Sequence, residues 1–190
     1  MPFGDVADFL KRLNKVGGVA ARALEFTILT AARSGETRGA SWREIDLKAK
    51  IWTIPGSRMK SGREHRVPLC NYALQILEAM GDRAIDDLVF AGAKQGRPLS
   101  DMSLAKALKS GGGGDFTVHG FRSSFRDWVS KATNFQREVA EAALAHAVGD
   151  SVERAYRRGD ALEKRRQLMD AWAAYVTGAP DGVVRLDRAS

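Results

Sequence analysis

The 190-residue sequence has few of the features that mark secreted, metal-binding or membrane-spanning proteins. It holds one cysteine, Cys70, which excludes an internal disulfide. Its three histidines are scattered and have no cysteine partners, so no zinc-like spacing exists. No run approaches about 18 uninterrupted apolar residues, and the start lacks a basic segment followed by an apolar one. These absences disfavour secretion and membrane spanning and predict a cytoplasmic protein.

An excess of acidic residues is also missing. The chain has 30 Lys and Arg against 23 Asp and Glu, a formal charge of +7, with a pI of about 9.8. This balance favours an anionic partner such as nucleic acid. Charge alone does not choose that partner, because a basic chain can also be merely soluble or attracted to acidic lipid. The length and the 44% hydrophobic content suit one well-buried domain, at most with a small appendage.

Helical periodicity predominates along the chain. We expect Asp5 to cap a first amphipathic helix that ends at Gly17. Residues 20–32 are apolar on nearly every side, which is typical of a helix buried in a core. Further helices are predicted after the caps Asn71 and Ser100, from His119 onward, before His146, and around Trp172.

β-Branched and aromatic residues predict short strands within residues 41–47, 51–54 and 64–68. Residues 59–63 would then be the exposed connection of a hairpin. The glycine run at 111–114 lacks the Lys-Ser/Thr ending of a phosphate-binding P-loop and predicts a flexible joint. The expected fold is therefore mainly α with a small antiparallel β-sheet, an α+β class.

Four side chains suggest chemistry on a phosphate. His119 and Arg122 stand three positions apart at the start of a predicted helix and share a face. His146 and Tyr156 follow in order. A guanidinium matches phosphate oxygens bidentately, an imidazole changes charge near neutral pH, and a tyrosine hydroxyl can act as a covalent nucleophile.

The order of five short motifs resembles the signature of the tyrosine recombinase (phage integrase) family, most of all the phage-satellite type that genomic islands carry. The resemblance covers roughly residues 5 to 176. The motifs are AARSGE (31–36), RMKSGREHRVPL (58–69), HGFR (119–122), LAH (144–146), and Tyr156 ten residues later. One motif alone is weak, but five in order make coincidence very improbable.

The resemblance implies a role for each of seven residues and no cofactor, neither ATP nor a metal. Arg33 and Arg122 would hold the scissile phosphate, with Glu36 supporting Arg33 from behind. His146 would donate a further hydrogen bond, and His119 would help to form the phenolate. Lys60 would protonate the departing 5′ oxygen, and Tyr156 would be the nucleophile that forms a 3′-phosphotyrosyl bond.

Some of these assignments have a structural alternative. Arg33 and Glu36 could be a purely structural ion pair, Lys60 a solvated turn residue, and His146 a satisfied structural histidine. His65 and Arg66 are expected to contact the DNA backbone or solvent. Two other tyrosines, Tyr72 and Tyr175, read as structural.

By the same resemblance, residues 1–176 form the catalytic domain of a site-specific recombinase for integration and excision of a mobile element. Residues 177–190 form a tail that docks on a neighbouring protomer or is disordered. The family's core-binding and arm-binding domains are expected to be absent, leaving an isolated catalytic piece or a degenerate reading frame. The implied partners are double-stranded DNA at attachment sites, further protomers in a tetramer, and a directionality factor, but no membrane. The alternatives are a catalytically silent DNA-binding module and a type IB topoisomerase.

Overall fold

The computed structural model describes residues 1–81, 84–94, 96–146 and 161–179. The tail beyond residue 179 lies outside them. Three antiparallel strands, in the order β1-β2-β3, are β1 (Ile45–Asp46), β2 (Ile51–Ile54) and β3 (His65–Pro68). The α-helices of the described ranges are α1 (Val6–Val16), α2 (Gly18–Thr30), α3 (Ser34–Arg38), α4 (Asn71–Ala79), α5 (Asp101–Ser110), α6 (Gly120–Ala132), α7 (Arg137–Ala143) and α8 (Leu162–Thr177). The predicted fold class, mainly α with a small antiparallel sheet, is confirmed.

Helix α2 is the centre of the core. Every residue from position 21 to position 30 is buried, and α1, α4, α5 and α8 all pack against it. Trp172 of α8 also donates an indole hydrogen bond of 2.9 Å to the carbonyl of Ile28. The all-round apolar pattern therefore predicted a central helix correctly.

Helix α2 ends where the candidate site begins. Ala31 adopts a left-handed conformation with φ of 50°, which costs an L-residue roughly 1 kcal/mol. The turn takes the chain out of the core, so that Arg33 and α3 follow directly. One end of the buried helix thus sets the position of the first candidate arginine.

The small sheet attaches the lysine-bearing hairpin to the core. Trp52 of β2 is fully buried, pairs with Val67 of β3 and packs against Phe26 of α2 at a ring distance of 5.4 Å. A 3₁₀ turn (Gly56–Arg58) follows β2, and residues 60–64 are exposed. The strands anchor the hairpin while its tip extends into solvent.

Aromatic packing fixes α6. Phe125 and Trp128 lie on its buried face and contact Trp172 of α8 at ring distances of 5.5 and 5.1 Å. Tyr175, half-exposed, joins the same group 5.5 Å from Trp128. The aromatic face predicted from the helical spacing is confirmed, and it leaves the N-terminus of α6 at the site.

Several predicted details differ in the structure. Asp5 and Ser100 make no side-chain cap hydrogen bond. Asn71 is the first residue of α4, whose cap position is Cys70, and its amide oxygen accepts a hydrogen bond from Lys50. Within residues 41–47 the strand is only two residues long, since Trp42–Glu44 form a 3₁₀ turn. That turn lets the Glu44 carboxylate accept hydrogen bonds from Trp52 and Arg58.

The predicted flexible joint at residues 111–114 is instead a packed turn. Gly111 and Gly113 are buried, and a Cβ on Gly113 would lie 2.2 Å from Leu108 Cδ1 and 2.7 Å from the Leu108 carbonyl oxygen. The glycines are needed for close approach to α5. Among the described residues, no helix has the length and apolarity that crossing a membrane requires.

Candidate active site

Arg122, in the first turn of α6, ties three separate parts of the chain together. Its side chain is buried, with 6% of the residue exposed. The guanidinium donates to the carbonyls of Ala31 at 2.5 Å and Leu144 at 2.6 Å, and Nη2 lies 3.2 Å from His146 Nε2. One arginine therefore joins the end of α2, the start of α6 and the end of α7.

Arg122 is buried in a site that also contains a second cationic side chain, Arg33. Burial, and after it the nearby Arg33 guanidinium, lower the pKa of Arg122 to about 10, against smaller opposing effects of Glu36 and Glu141. Two guanidinium groups brought this close repel each other, and an anion between them relieves the repulsion. The arrangement is electrostatically compatible with an anion.

Arg33 is held by Glu36. Its Nη1 lies 2.7 Å from Glu36 Oε1, and its backbone N–H donates to Oε2 at 2.8 Å. The Glu36 side chain is 6% exposed and that of Arg33 is 28% exposed. The pair leaves part of the guanidinium facing solvent, so the ion pair and a phosphate contact are compatible.

His146 follows the end of α7 and contacts two charged groups. Its Nε2 faces Arg122, and its Nδ1 lies 2.7 Å from Glu141 Oε2. The predicted residues Arg122 and His146 are therefore in contact, and Arg33 follows two residues after the Ala31 carbonyl that Arg122 also contacts. Glu141, by contrast, carried no prediction, because a glutamate on a short helix is normally a surface charge.

Lys60 and His119 lie at the periphery. Lys60 is in the exposed turn of the β2–β3 hairpin, and His119 is the exposed residue just before α6. Within the described ranges, neither side chain makes a hydrogen bond or an ion pair. Tyr156, the predicted nucleophile, lies outside the described residues.

His65 has a structural contact that was not predicted. Instead of facing DNA or solvent, its half-buried ring places Nε2 3.2 Å from the carbonyl oxygen of Ala143, at the end of α7. Burial, and after it the charge of Arg165, lower the pKa of His65 to about 4, so the ring is neutral at pH 7. It therefore connects β3 to the segment that carries His146.

In the described ranges, no three His, Cys, Asp or Glu side chains are grouped as ligands for a metal ion. What the site offers is a set of cationic and hydrogen-bonding groups around a solvent-facing arginine. The fold is consistent with the catalytic domain of a tyrosine recombinase. The family model described as the phage integrase family matches residues 5–163, so the chain belongs to this family.

Curated relatives agree with the family match. The chain is 41% identical over 172 residues to the prophage integrase IntA of Escherichia coli K12, which covers 86% of this chain and 40% of that protein. It is 31% identical to the prophage integrase IntZ of the same organism, over 91% of this chain and 44% of IntZ. It is 30% identical to the integrase of Enterobacteria phage P4, over 93% of this chain and 45% of that integrase.

The chain thus spans less than half the length of these three relatives. No solved structure has significant similarity to it. The resemblance to the family that the five motifs predicted is confirmed.

Proposed function

We propose that this chain is the catalytic part of a site-specific recombinase that cleaves and rejoins DNA during integration and excision of a phage-like element. The observation that carries the proposal is the position of Arg122, which donates to the carbonyl of Ala31, two residues before Arg33, and also lies against His146. The names of the relatives, which are integrases, support this function over a topoisomerase.

The two arginines address the charge of the phosphodiester. Arg33 and Arg122 bind its non-bridging oxygens and stabilise the charge of the pentacoordinate transition state. Arg122 is held by two backbone carbonyls, so it needs little rearrangement when DNA binds. His146 adds a hydrogen bond to the same phosphate.

The covalent steps conserve bond energy. Tyr156 gives its phenolic proton to His119 and its oxygen attacks phosphorus, the phosphorus–oxygen bond to the 5′ oxygen breaks, and Lys60 gives that oxygen a proton. The products are a 3′-phosphotyrosyl bond and a free 5′ hydroxyl. Attack by a 5′ hydroxyl, the reverse of this step, rejoins a strand and releases Tyr156. The cationic groups and His119 favour the phenolate, whose ordinary pKa is about 10.

Strand exchange between two duplexes requires more than one protomer. We propose that four protomers assemble on the DNA as a tetramer. Double-stranded DNA at attachment sites and a directionality factor complete the proposed partners, and a bacterial cytoplasm is the proposed location. Residues 1–176 are the proposed catalytic domain, with residues 177–190 as a tail that docks on a neighbouring protomer or is disordered.

Trapping on a nicked duplex tests the proposal. The duplex carries the attachment-site sequence at the boundary between the mobile element that encodes the chain and the neighbouring DNA. A nick close to the cleavage site lets the short 5′-hydroxyl fragment diffuse away after cleavage. A recombinase domain accumulates a protein–DNA adduct that resists SDS. A retarded band in a native gel without such an adduct would identify the silent DNA-binding module instead.

A further inference from the structure

Glu141 has no part in the chemistry proposed above, yet it holds His146. It lies on α7 with 11% of its side chain exposed, and its two oxygens have different partners. Oε2 lies 2.7 Å from His146 Nδ1, and Oε1 lies 2.9 Å from Arg126 Nε. One carboxylate therefore joins the imidazole to a cation on α6.

Helix α6 contacts this pair at both ends. Arg122 and Arg126 are four positions apart and so lie on one face of the helix. Arg122 Nη2 approaches His146 Nε2 at 3.2 Å, while Arg126 pairs with Glu141. The order of contacts is Arg122, His146, Glu141, Arg126, so both ring nitrogens of the histidine have a partner.

The chemistry of the partners determines where the ring proton lies. A guanidinium only donates, so Nε2 must accept from Arg122 and carries no proton. An ionised carboxylate only accepts, so Nδ1 must carry the proton and donate it to Glu141. Both ends of the ring require the same neutral tautomer.

We propose that Glu141 is a positioning residue that holds His146 in the tautomer protonated at Nδ1, with Nε2 directed to Arg122 and the phosphate. When the ring gains a second proton from solvent, at Nε2, and donates it to a phosphate oxygen, the carboxylate of Glu141 balances the charge of the imidazolium. The effect on cleavage rests on the proposed function, whereas the tautomer is a property of the protein without DNA.

The change Glu141→Gln tests the proposal sharply because it alters few atoms. An amide has one accepting oxygen and one donating NH₂, whereas the carboxylate pairs with the charge of Arg126 through Oε1 and accepts from His146 Nδ1–H through Oε2. The charged Arg126 takes the oxygen. The NH₂ group then faces Nδ1 and favours the tautomer protonated at Nε2, which places a donor against Arg122.

Nitrogen-15 NMR of the imidazole rings reads the tautomer directly. At neutral pH, His146 of the unaltered chain should show a protonated-type Nδ1 and an unprotonated-type Nε2, and Glu141→Gln should reverse that pattern. His65 is an internal reference, because its contact with the Ala143 carbonyl requires a proton on Nε2 in both proteins. A His146 protonated at Nε2 in the unaltered chain, or an unchanged pattern in Glu141→Gln, overturns the proposal.

Single-turnover cleavage of the nicked duplex provides the functional readout. Glu141→Gln should slow cleavage roughly 10- to 100-fold with DNA affinity nearly unchanged. In a protein that already carries Arg126→Met, the Gln amide at position 141 can turn its oxygen to His146 Nδ1–H. Adding Glu141→Gln to Arg126→Met should therefore slow cleavage only about 3-fold. Equal losses in both backgrounds contradict the proposal.

Glu138→Gln is the matched control, since Glu138 is an exposed glutamate on the same helix, and it should leave cleavage and the ring pattern unchanged. If Glu138→Gln altered cleavage and the imidazole signals as much as Glu141→Gln, the effect would come from the loss of any negative charge on α7. That result would overturn the proposal. If the unaltered chain does not cleave, the proposed function fails, and the NMR result alone then decides the role of Glu141.

Discussion

The two halves of the candidate site are built differently. Arg122, His146 and Glu141 lie where α6 and α7 meet, and each is fixed by hydrogen bonds before any DNA is present. Lys60 and His119 are exposed, and their side chains have no partner within the described ranges. The groups that stabilise charge are thus preorganised, whereas the proposed proton donor on the hairpin must be positioned by DNA.

The difference makes Arg122 the position where stability and activity are most tightly linked. Arg122→Lys should lower cleavage at least roughly 100-fold, because an ammonium cannot contact two carbonyls and a phosphate in the plane of a guanidinium. Its free energy of unfolding should fall by about 1–3 kcal/mol, since buried carbonyls lose their donors. Urea denaturation and single-turnover cleavage measure the two effects.

Arg126→Lys is the control for Arg122→Lys, because its side chain is half-exposed on the same helix. It should change stability by less than about 0.5 kcal/mol. Near-normal cleavage by Arg122→Lys would contradict the phosphate contact assigned to Arg122.

Lys60 should show the opposite behaviour, with activity lost and stability kept. Lys60→Ala should slow cleavage roughly 100-fold by removing the proton donor, while the free energy of unfolding stays within about 0.5 kcal/mol. A duplex with sulfur in place of the bridging 5′ oxygen should restore the rate, because a thiolate leaves without a proton. Failure of that substrate to rescue Lys60→Ala, with the unaltered chain active on it, would count against the assignment.

His65 connects the two halves and should make stability depend on pH. Because its pKa is about 4 when folded and about 6.5 when unfolded, the unfolded state binds more protons between these values. The contribution of the neutral His65 ring to the free energy of unfolding is therefore complete above about pH 6.5 and is lost as the pH falls toward 4. Between pH 7 and pH 5 the loss should be roughly 2 kcal/mol.

The change His65→Gln should remove that pH dependence, since an amide N–H can still donate to the Ala143 carbonyl and does not titrate. The exposed His119→Gln should keep the dependence of the unaltered chain. Urea denaturation at pH 7 and at pH 5 measures the pH dependence of stability for each protein. The same loss of stability between the two pH values in all three proteins would show that His65 does not titrate as described.

The smallest effect concerns DNA affinity. The domain should bind duplexes weakly and with little sequence preference, and its affinity should fall steeply with salt because contacts to phosphates release counterions. Lys60→Ala should reduce the log–log salt slope by about 0.9, the share of one phosphate contact. Tight binding that selects the attachment site over a scrambled duplex and barely responds to salt would be inconsistent with this picture.

Local patterns predicted the scaffold well. The all-round apolar α2, the strands β2 and β3 and the aromatic face of α6 all follow from periodicity, since burial of a helix or strand is written into its own residues. The proximity of Arg122 to His146 and to the segment before Arg33 was reached through the order of the five motifs. Spacing alone could not have placed them together.

The contacts that depend on tertiary structure were not predicted. His65 and Ala143 are 78 positions apart, so nothing near His65 indicates that its ring is half-buried. Glu141 stands five positions before His146 in a short helix that ends between them, a spacing that no helical rule pairs. The glycines at 111–114 suggested freedom, and only the position of Leu108 shows that they permit close packing.

The central claim is that Tyr156 forms the covalent bond to DNA, and protease mapping of the trapped adduct tests it most directly. Mass spectrometry of the nuclease-trimmed adduct should place the nucleotide remnant on the peptide that contains Tyr156. Tyr156→Phe should bind DNA but give no adduct, whereas Tyr175→Phe should give the normal amount. A remnant on any other residue, or an undiminished adduct from Tyr156→Phe, would contradict the account.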